Sequence, residues 1–439
     1  MSSHGLDLAG FDNALKLNYE GPIREQLQSK QVLLAHIRKD VSRTTFRGKQ
    51  TVIPIHTGRN TGRGVRAERG TLPTAGAQSH EQAIYNMSYL YGRITLTGQT
   101  IAASKDNKGA FARAMDLEMK GLAKDLAREQ NRQLWHDGSG MLSAATDLGS
   151  STTVTVLSTK FIEVGMEIEV RTVATGDLIV GSQQTVLTVP NATTFTVGVA
   201  IDVTATAAVY LQGTRTASDW TQPLEMWGLE AIVSNDNPGA VYWNGTGWAA
   251  WDTFTTSPGA SGTLGQLNAD SVETWKGNVV ESGAWSSALN DMQEAYDTSE
   301  IEGEVTPGLI LTSHSVRRHY GAQLQDSRRY GNEVTLKSGW TGLEFGNSVI
   351  IADRDASYTR FPANDDYKVA GTFDAMYFIA PSSLEFHVLE DLAWEDTGGV
   401  LVRSGVGASG VDQFEAFMKQ YANLICNRRN ANTVLVGIA

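Results

Sequence analysis

Between two strand-like segments, KQTVIPIH (49–56) and YLYGRITLTGQTI (89–101), the chain runs through TGRNTGRGVRAERGTLPTAGAQSHEQA, a stretch rich in Gly, Thr and Arg with almost no apolar content. The flanks carry the β-branched and aromatic residues that strands favour. Two strands joined by so long a polar tip predict a projecting β-hairpin, and a structureless tip of this length is uncommon inside a compact domain unless it serves a function. Arg59, Arg63, Arg66 and Arg69, with Glu68 among them, offer planar, permanently charged donors suited to the carboxylates of a partner. Phosphate is the competing ligand, and plain solubility a third use.

The segments on either side differ in texture. Residues 1–45 predict an extended arm with short helical pieces: Ile23, Leu27, Leu34, Ile37 and Val41 fall near helical spacing, and Pro22 suits a first turn. Residues 105–137 predict one long helix with Phe111, Met115, Leu122, Leu126 and Leu134 on or near one stripe. Ser104, Asp106 and Asn107 are candidate caps, Gly138 a natural stop, and the rod is about 45 Å long. Residues 141–215 switch to short alternating segments such as STTVTVLS, MEIEVRTV and QQTVLTV, punctuated by Gly and Pro-Asn. Five or six strands in that space predict a small barrel or sandwich. Residues 216–439 are mixed, with GLILTSHSVRRHYGAQL reading as buried strand, Ser/Thr cap and helix, SVIIADRDA as a second buried strand, DAMYFIA and LEFHVLE as further strands, VDQFEAFMKQYANLICN as a late amphipathic stretch and TVLVGIA as a final strand.

Composition narrows the class. A chain of 439 residues with 41% hydrophobic and 19% charged residues is ordinary globular material for two or three domains. No apolar run approaches the roughly 20 residues of a membrane span, and MSSHGLDLAGFDNALKLNYEG lacks the pattern of a secretory signal, so neither membrane nor export is expected. Cys426 is the single cysteine and sits among Ala422, Leu424 and Ile425, which reads as core. The net charge of -12 is uneven: residues 1–70 hold 12 basic and 6 acidic residues, the remainder 24 and 42. A basic arm on an acidic body points either to nucleic acid or an acidic neighbour, or to a solvated terminus.

No constellation for chemistry stands out. Gly405-Val406-Gly407-Ala408-Ser409-Gly410 matches the dinucleotide fingerprint and precedes a possible helix, but it comes late, and no acid lies about 20 residues on, in NRRNANT. His314 and His319 are five apart, not the four that a helical zinc pair needs. Ser139, between Gly138 and Gly140, lacks the strand and the longer motif of a nucleophile elbow. Asp353 and Asp355 could hold a cation, yet Asp-Arg-Asp more readily pairs with its own arginine or caps a turn; Asp365-Asp366 reads as a loop. Arg317, Arg318, Arg328 and Arg329, interleaved with Tyr320 and Tyr330, could grip nucleic acid or pair with acids of a neighbour. No cofactor, metal or catalytic residue is therefore expected.

The order of parts resembles the tailed-phage major capsid proteins of the Hong Kong 97 type, including coat proteins with an inserted domain. The resemblance is carried by FARAMDLEMKGLAKDLAREQNRQLWHDGSG, which looks like a phage coat spine helix, and by GLILTSHSVRRHY, FGNSVIIADRDA, MYFIAPSSLEF and QYANLICNRRNANTVLVGIA in that order. It implies an α+β fold: an N-terminal arm (1–45), an E-loop β-hairpin (46–104), a spine helix of the peripheral domain (105–140), an inserted β-barrel or sandwich (141–215), and the axial domain with the rest of the peripheral domain (216–439). It further implies a shell protein that self-assembles as pentamers and hexamers into the icosahedral head of a double-stranded DNA phage, assembled in the host cytoplasm. Arg59, Arg63, Arg66, Glu68 and Arg69 would then lie at a subunit interface. Partners implied are a separate scaffold protein, a portal, room for a decoration protein, and DNA bound without sequence preference on the inner face. Some members cross-link through a loop lysine; the tip here has none, Lys49 lying at its base, which implies a non-covalent shell. A long hairpin and an extended arm bury little in their own subunit, so copies of the chain must bury them. The rival readings are an encapsulin-like cellular nanocompartment, a nucleotide-dependent oxidoreductase built on Gly405–Gly410, and an exported carbohydrate-binding protein suggested by the Trp-rich region 220–251.

Overall fold

A computed structural model describes residues 32–40, 50–99, 108–136, 138–145, 149–172, 177–203, 207–214, 224–233, 241–243, 248–250, 263–268, 272, 274–281, 288–326, 334–335, 341–356, 375–395, 402–404 and 413–436. Most of the expected arm, the Gly405–Gly410 loop, Arg328, Arg329, Asp365 and Asp366 lie outside these residues. So do the side chains of Phe111 and Met115.

Among the described residues of the arm, α1 (Val32–His36) is a short helical piece; β1 (Arg38–Asp40) follows at once and pairs in parallel with β21 (Leu384–Trp394). Leu33 and Ile37 are buried. The hairpin corrects an expectation. Strand β2 (Gln50–Gly58) pairs antiparallel not with YLYGRITLT but with β3 (Ser79–Asn86), from the far end of the polar stretch. YLYGRITLT lies in β4 (Ser88–Thr97), which turns away to pair with β23 (Gln413–Cys426) along ten residues.

Strands β1, β21, β23, β4 and β22 (Val402–Ser404) make a five-stranded sheet. Helix α2 (Lys108–Trp135) lies across it. The approach is close enough that a Cβ at Gly92 of β4 would stand 2.7 Å from Leu126 Cδ1 and 2.9 Å from Leu122 Cδ1, so a larger residue there would make these leucine ends shift. The late amphipathic stretch is thus strand, not helix. The first described element after residues 405–410 is the strand β23, not the helix whose N-terminus would receive a pyrophosphate in a dinucleotide fingerprint.

After α2 the chain forms β5 (Met141–Ala144), β6 (Gly149–Thr155), β7 (Glu167–Thr172), β8 (Gln184–Asn191), β9 (Thr194–Val203) and β10 (Ala207–Leu211), one antiparallel sheet in the order β5-β10-β7-β8-β9-β6. Its two ends meet. Ala145 bridges Val156, and the Leu157 N–H donates to the Ala144 carbonyl at 3.2 Å, so the sheet closes into a barrel. Ile168, Val170, Val186, Phe195, Val197 and Val209 fill the interior.

The third layer is a mixed seven-stranded sheet ordered β15 (Asn278–Glu281), β24 (Thr433–Val436), β20 (Met376–Ile379), β16 (Leu309–Thr312), β19 (Ser348–Ala352), β18 (Thr341–Phe345), β17 (Val334–Thr335). Alternation divides its two faces. Ile310, Ile350, Phe378 and Leu435 pack under helices α4 (Ala288–Gly303) and α5 (His314–Asp326) through Met292, Tyr296, Val316 and Tyr320. Leu309, Leu311, Ile351 and Ile379 join the central core with Trp135, Trp275, Phe386 and the short helix α3 (Leu229–Val233). Hairpins β11 (Val241–Trp243)–β12 (Trp248–Ala250) and β13 (Thr263–Leu264)–β14 (Leu267–Asn268) complete the described strands.

Candidate subunit-interface site

The hairpin of β2 and β3 is rooted in the core at one end only. Tyr85 is buried, and its hydroxyl donates to the Cys426 carbonyl at 2.9 Å. The Ile84 N–H donates to Gly265 O at 2.7 Å, and a Cβ at Gly265 (φ 59°) would stand 2.9 Å from the Tyr85 ring, so β13–β14 seats on β3 through a glycine. Asn423 Nδ2 donates to Asn86 O at 2.6 Å. Beneath this root Arg429 is buried and donates to the carbonyls of Ile232, Ala231 and Trp275 at 3.0, 2.9 and 3.2 Å, which ties the carbonyl end of α3 to the β23–β24 turn. Burial pushes the Cys426 thiol up to about 12. Burial also raises the Tyr85 hydroxyl, with Cys426 adding to it and Arg429 opposing.

Away from the root the burial stops. Ala83 is buried and Ile53 and Ile55 lean on the core, but Gln50, Val52, Pro54, His56 and all of Ser79–Gln82 are exposed. The two strands form a sheet of their own, and an isolated two-stranded sheet is marginal in water. The loop beyond is locally ordered. Asn60 Nδ2 donates to Gly76 O at 3.0 Å and its Oδ1 accepts from the Gly62 N–H at 2.6 Å. His56 Nε2 lies 2.7 Å from Gln78 Oε1. Arg66 folds back, Nε to Thr71 O at 2.9 Å and Nη1 to Val65 O at 3.0 Å, around a turn closed by Gly70 N–H to Ala67 O at 2.9 Å. Arg69 within that turn has φ 60°, a left-handed conformation that costs a side-chain-bearing residue on the order of 1 kcal/mol or more.

The structure thus separates the five predicted site residues. All are exposed in the loop 59–78. Arg66 organises the turn; Arg59, Arg63, Glu68 and Arg69 form no ion pair with any described residue. Val65, 95% exposed, and Leu72, 82% exposed, stand among them.

Sequence reading misses a second constellation. The last turn of α2 is buried on every side, polar residues included. Arg132, 3% exposed, donates through Nε to both carboxylate oxygens of Glu129 at 3.1 and 3.0 Å, through Nη2 to Glu225 Oε1 at 2.5 Å, and through Nη1 to His136 Nδ1 at 3.0 Å. Burial works to raise the Glu129 carboxyl, but the charge and hydrogen bonds of Arg132 outweigh it and the net shift is downward. Asn131 Nδ2 donates to Asp355 Oδ2 at 2.8 Å, Gln130 Nε2 to Gln420 Oε1 at 3.0 Å, and Lys160, beyond β6, to Arg354 O at 2.6 Å. The long helix, the barrel and the end of β19 therefore meet at one polar joint. Only Glu225 lies far in sequence from a periodic segment, and nothing in the local pattern of its neighbours marks it.

The other motifs settle as structure. Asp353 Oδ1 accepts from the Asp355 N–H at 2.8 Å, and Arg354 Nε donates to Asp355 Oδ1 at 3.2 Å, the turn and ion pair that compete with a cation. Ser313 Oγ accepts from the Val316 N–H at 3.1 Å, capping α5 with His314 as its first residue. Tyr320 is buried, its hydroxyl donating to Glu344 O at 3.0 Å. Cys426 is core. Among the described residues no three His, Cys, Asp or Glu side chains converge to hold a metal ion.

Comparison with solved structures places this architecture. A chain of the cyanophage A-1(L) capsid asymmetric unit superposes with a TM-score of 0.54 at 12% identity, covering 96% of this chain and 97% of that one. The fold is that of a tailed-phage capsid protein. The capsid of cyanophage P-SCSP1u is similar at a TM-score of 0.45 and 10% identity, over 100% of this chain and 98% of that one. The holo-SrpI encapsulin of Synechococcus elongatus PCC 7942 is similar at 0.44 and 8%, over 99% and 95%. No protein-family model and no curated protein matches the sequence. The β2–β3 hairpin is a two-stranded sheet of its own, and its strands run on into the exposed loop 59–78.

Proposed function

We propose that this chain is the major capsid protein of a tailed double-stranded DNA phage, assembling as pentamers and hexamers into an icosahedral head in the host cytoplasm. The observation that carries the reading is the capsid fold over nearly the whole of both chains. The hairpin supports it independently. An element that cannot hide its own surface needs neighbours, and many modest contacts closed by symmetry hold a shell without any tight pair.

In this reading β2, β3 and the loop 59–78 are the E-loop, α2 is the spine helix of the peripheral domain, the seven-stranded sheet with α4 and α5 is the axial domain, and the barrel β5–β10 is an insertion. Arg59, Arg63, Arg66, Glu68 and Arg69 serve the subunit interface, Arg66 by shaping the turn and the others by contact. A separate scaffold and a portal are the expected partners, and the acidic body keeps packaged DNA from adhering while the basic arm compensates locally. Substituting the arm arginines by glutamine should then change assembly or packaging.

Negative-stain microscopy of the expressed full chain, alone and with a co-expressed scaffold, tests the proposal. Closed shells of uniform size are expected, dissociating to a single monomer band when boiled in SDS. A monomer that persists at high concentration under both conditions overturns it.

A further inference from the structure

Helix α4 breaks a local rule. From Ala288 to Glu304 the sequence carries Asp291, Glu294, Asp297, Glu300, Glu302 and Glu304 and no basic residue. Glu294, Asp297 and Glu300 follow at three-residue spacing and Glu304 four further on, so like charges stack along one side of the helix. They crowd toward its C-terminal end, whose own last turn holds no basic residue; the carbonyl of Gly303 there is met by Arg428 Nη1 from the β23–β24 turn at 2.9 Å. The buried side of α4 is occupied by Met292, Ala295, Tyr296 and Ser299; Glu294, Asp297, Glu300, Glu302 and Glu304 are exposed, and none forms an ion pair with a described residue. Ile301, 72% exposed, stands among them. A cleft of about 440 Å³ runs beside Glu302 and Glu304, walled on its other side by Pro54–Arg59 of the hairpin root.

The hairpin loop has the opposite character: Arg59, Arg63 and Arg69 unpaired, Val65 and Leu72 exposed beside them, and Arg69 held in a strained backbone conformation that glycine would relieve. Two surfaces that each violate a local rule, one for anions and one for cations, are mutually explained if they meet. We propose that the hairpin loop of one copy docks on the acidic outer side of α4 in a second copy, with Arg63 and Arg69 against Asp297, Glu300 and Glu304, and Val65 and Leu72 covering Ile301. This rests on the shell reading and names the partner surface within it. A divalent cation is the poorer occupant, because the carboxylates are strung along the helix and do not converge. The basic residues of 1–49 are the rival cationic occupant within the chain.

The test uses the full chain, whose one native thiol is buried. Chains carrying V65C are mixed with chains carrying I301C, assembled, and oxidised. A covalent dimer that needs both variants is expected on a non-reducing gel. Particles with no such dimer overturn the docking and leave the shell reading standing; failure of the unmodified chain to form particles sinks both. In a second arm, R63E with R69E should raise the concentration needed for half-assembly about tenfold, as should D297R with E300R, and the four together should return it to within about threefold. Rescue of the helix reversal by reversing Lys30, Arg38 and Lys39 instead overturns the proposal in favour of the arm.

Discussion

The barrel of β5–β10 and the hairpin of β2–β3 are both antiparallel, both threonine-rich and both interruptions of a larger body, yet they solve opposite problems. The barrel joins its first and last strands through Ala145 and Val156 and so has no free edge there. Its interior is filled from all six strands, each large apolar side chain contributing about 1.5–3 kcal/mol by leaving water. Its exposed apolar residues, Val164, Val180, Leu187 and Val199, are the scattered kind that any surface carries. The hairpin has one buried end and a loop whose apolar residues stand among unpaired arginines. The first region encloses its own apolar side chains; the second buries its root and leaves the rest of its surface exposed.

The sharpest way to test the difference is to empty the barrel. Phe195→Ala should cost about 3–5 kcal/mol, and the loss should stay local: amides of β6–β9 exchange faster while those of β16 and β20 keep their protection. Simultaneous loss in both would mean that the barrel is no independent unit. Arg132→Met should come next, at about 3 kcal/mol, since it leaves Glu225 buried, and Glu129 part-buried, without their cation. Here protection should fall on both sides of the joint, in α2 and in the barrel strands that adjoin it. A change below about 1 kcal/mol in a denaturant titration would show that the joint is wet or loose.

These two regions also differ in how well their sequences announce them. The barrel is legible because the inward side of its strands is apolar, so Ile168 and Val170, or Phe195 and Val197, alternate with other residue types. The hairpin is legible as an element but not in its pairing. Ser79–Gln82 are exposed on both faces, so β3 carries no period until Ala83 and Tyr85 enter the core, whereas YLYGRITLT has the stronger strand pattern and belongs elsewhere. Gln413–Cys426 misleads for a related reason: its pairing with both β4 and β21, not its amphipathic spacing, decides that it is a strand. The arginines of the loop are readable because charge in a polar loop has no packing role to hide it. The polar joint around Arg132 is not, because Glu225, Asp355 and Gln420 are brought to α2 only by the tertiary fold.

The root of the hairpin has a pH dependence that the barrel's apolar interior lacks. The Cys426 thiol is raised by burial from its ordinary 9.0 to about 12. Above pH 9 the unfolded chain releases this proton while the folded chain keeps it, so stability is full below that pH and falls as pH rises, by about 1.4 kcal/mol per unit. Tyr85 is shifted in the same direction from 10.0, while Lys160, held down by burial from 10.5 to about 8, contributes stability that grows as pH rises between these values and opposes the thiol. Cys426→Ala should lower stability at neutral pH and remove the thiol's share of the slope, so that its deficit against the unmodified chain shrinks as pH rises above 9, read from urea midpoints at half-unit steps. An unchanged slope would place the titrating group elsewhere.

The smallest expected effect on the subunit is the most telling about the comparison. Val65→Ser with Leu72→Ser removes two branched side chains, changes that would cost several kcal/mol inside the barrel. In the hairpin loop they should move the stability of the unassembled subunit by less than about 0.5 kcal/mol, because neither side chain touches its own body. The same pair should raise the concentration needed for assembly, since their apolar surface is withdrawn from water only when copies meet. A loss of more than about 1 kcal/mol in the lone subunit would mean that the loop already packs at home. The hairpin would then be a second self-contained region like the barrel, and the need for neighbours would vanish with it.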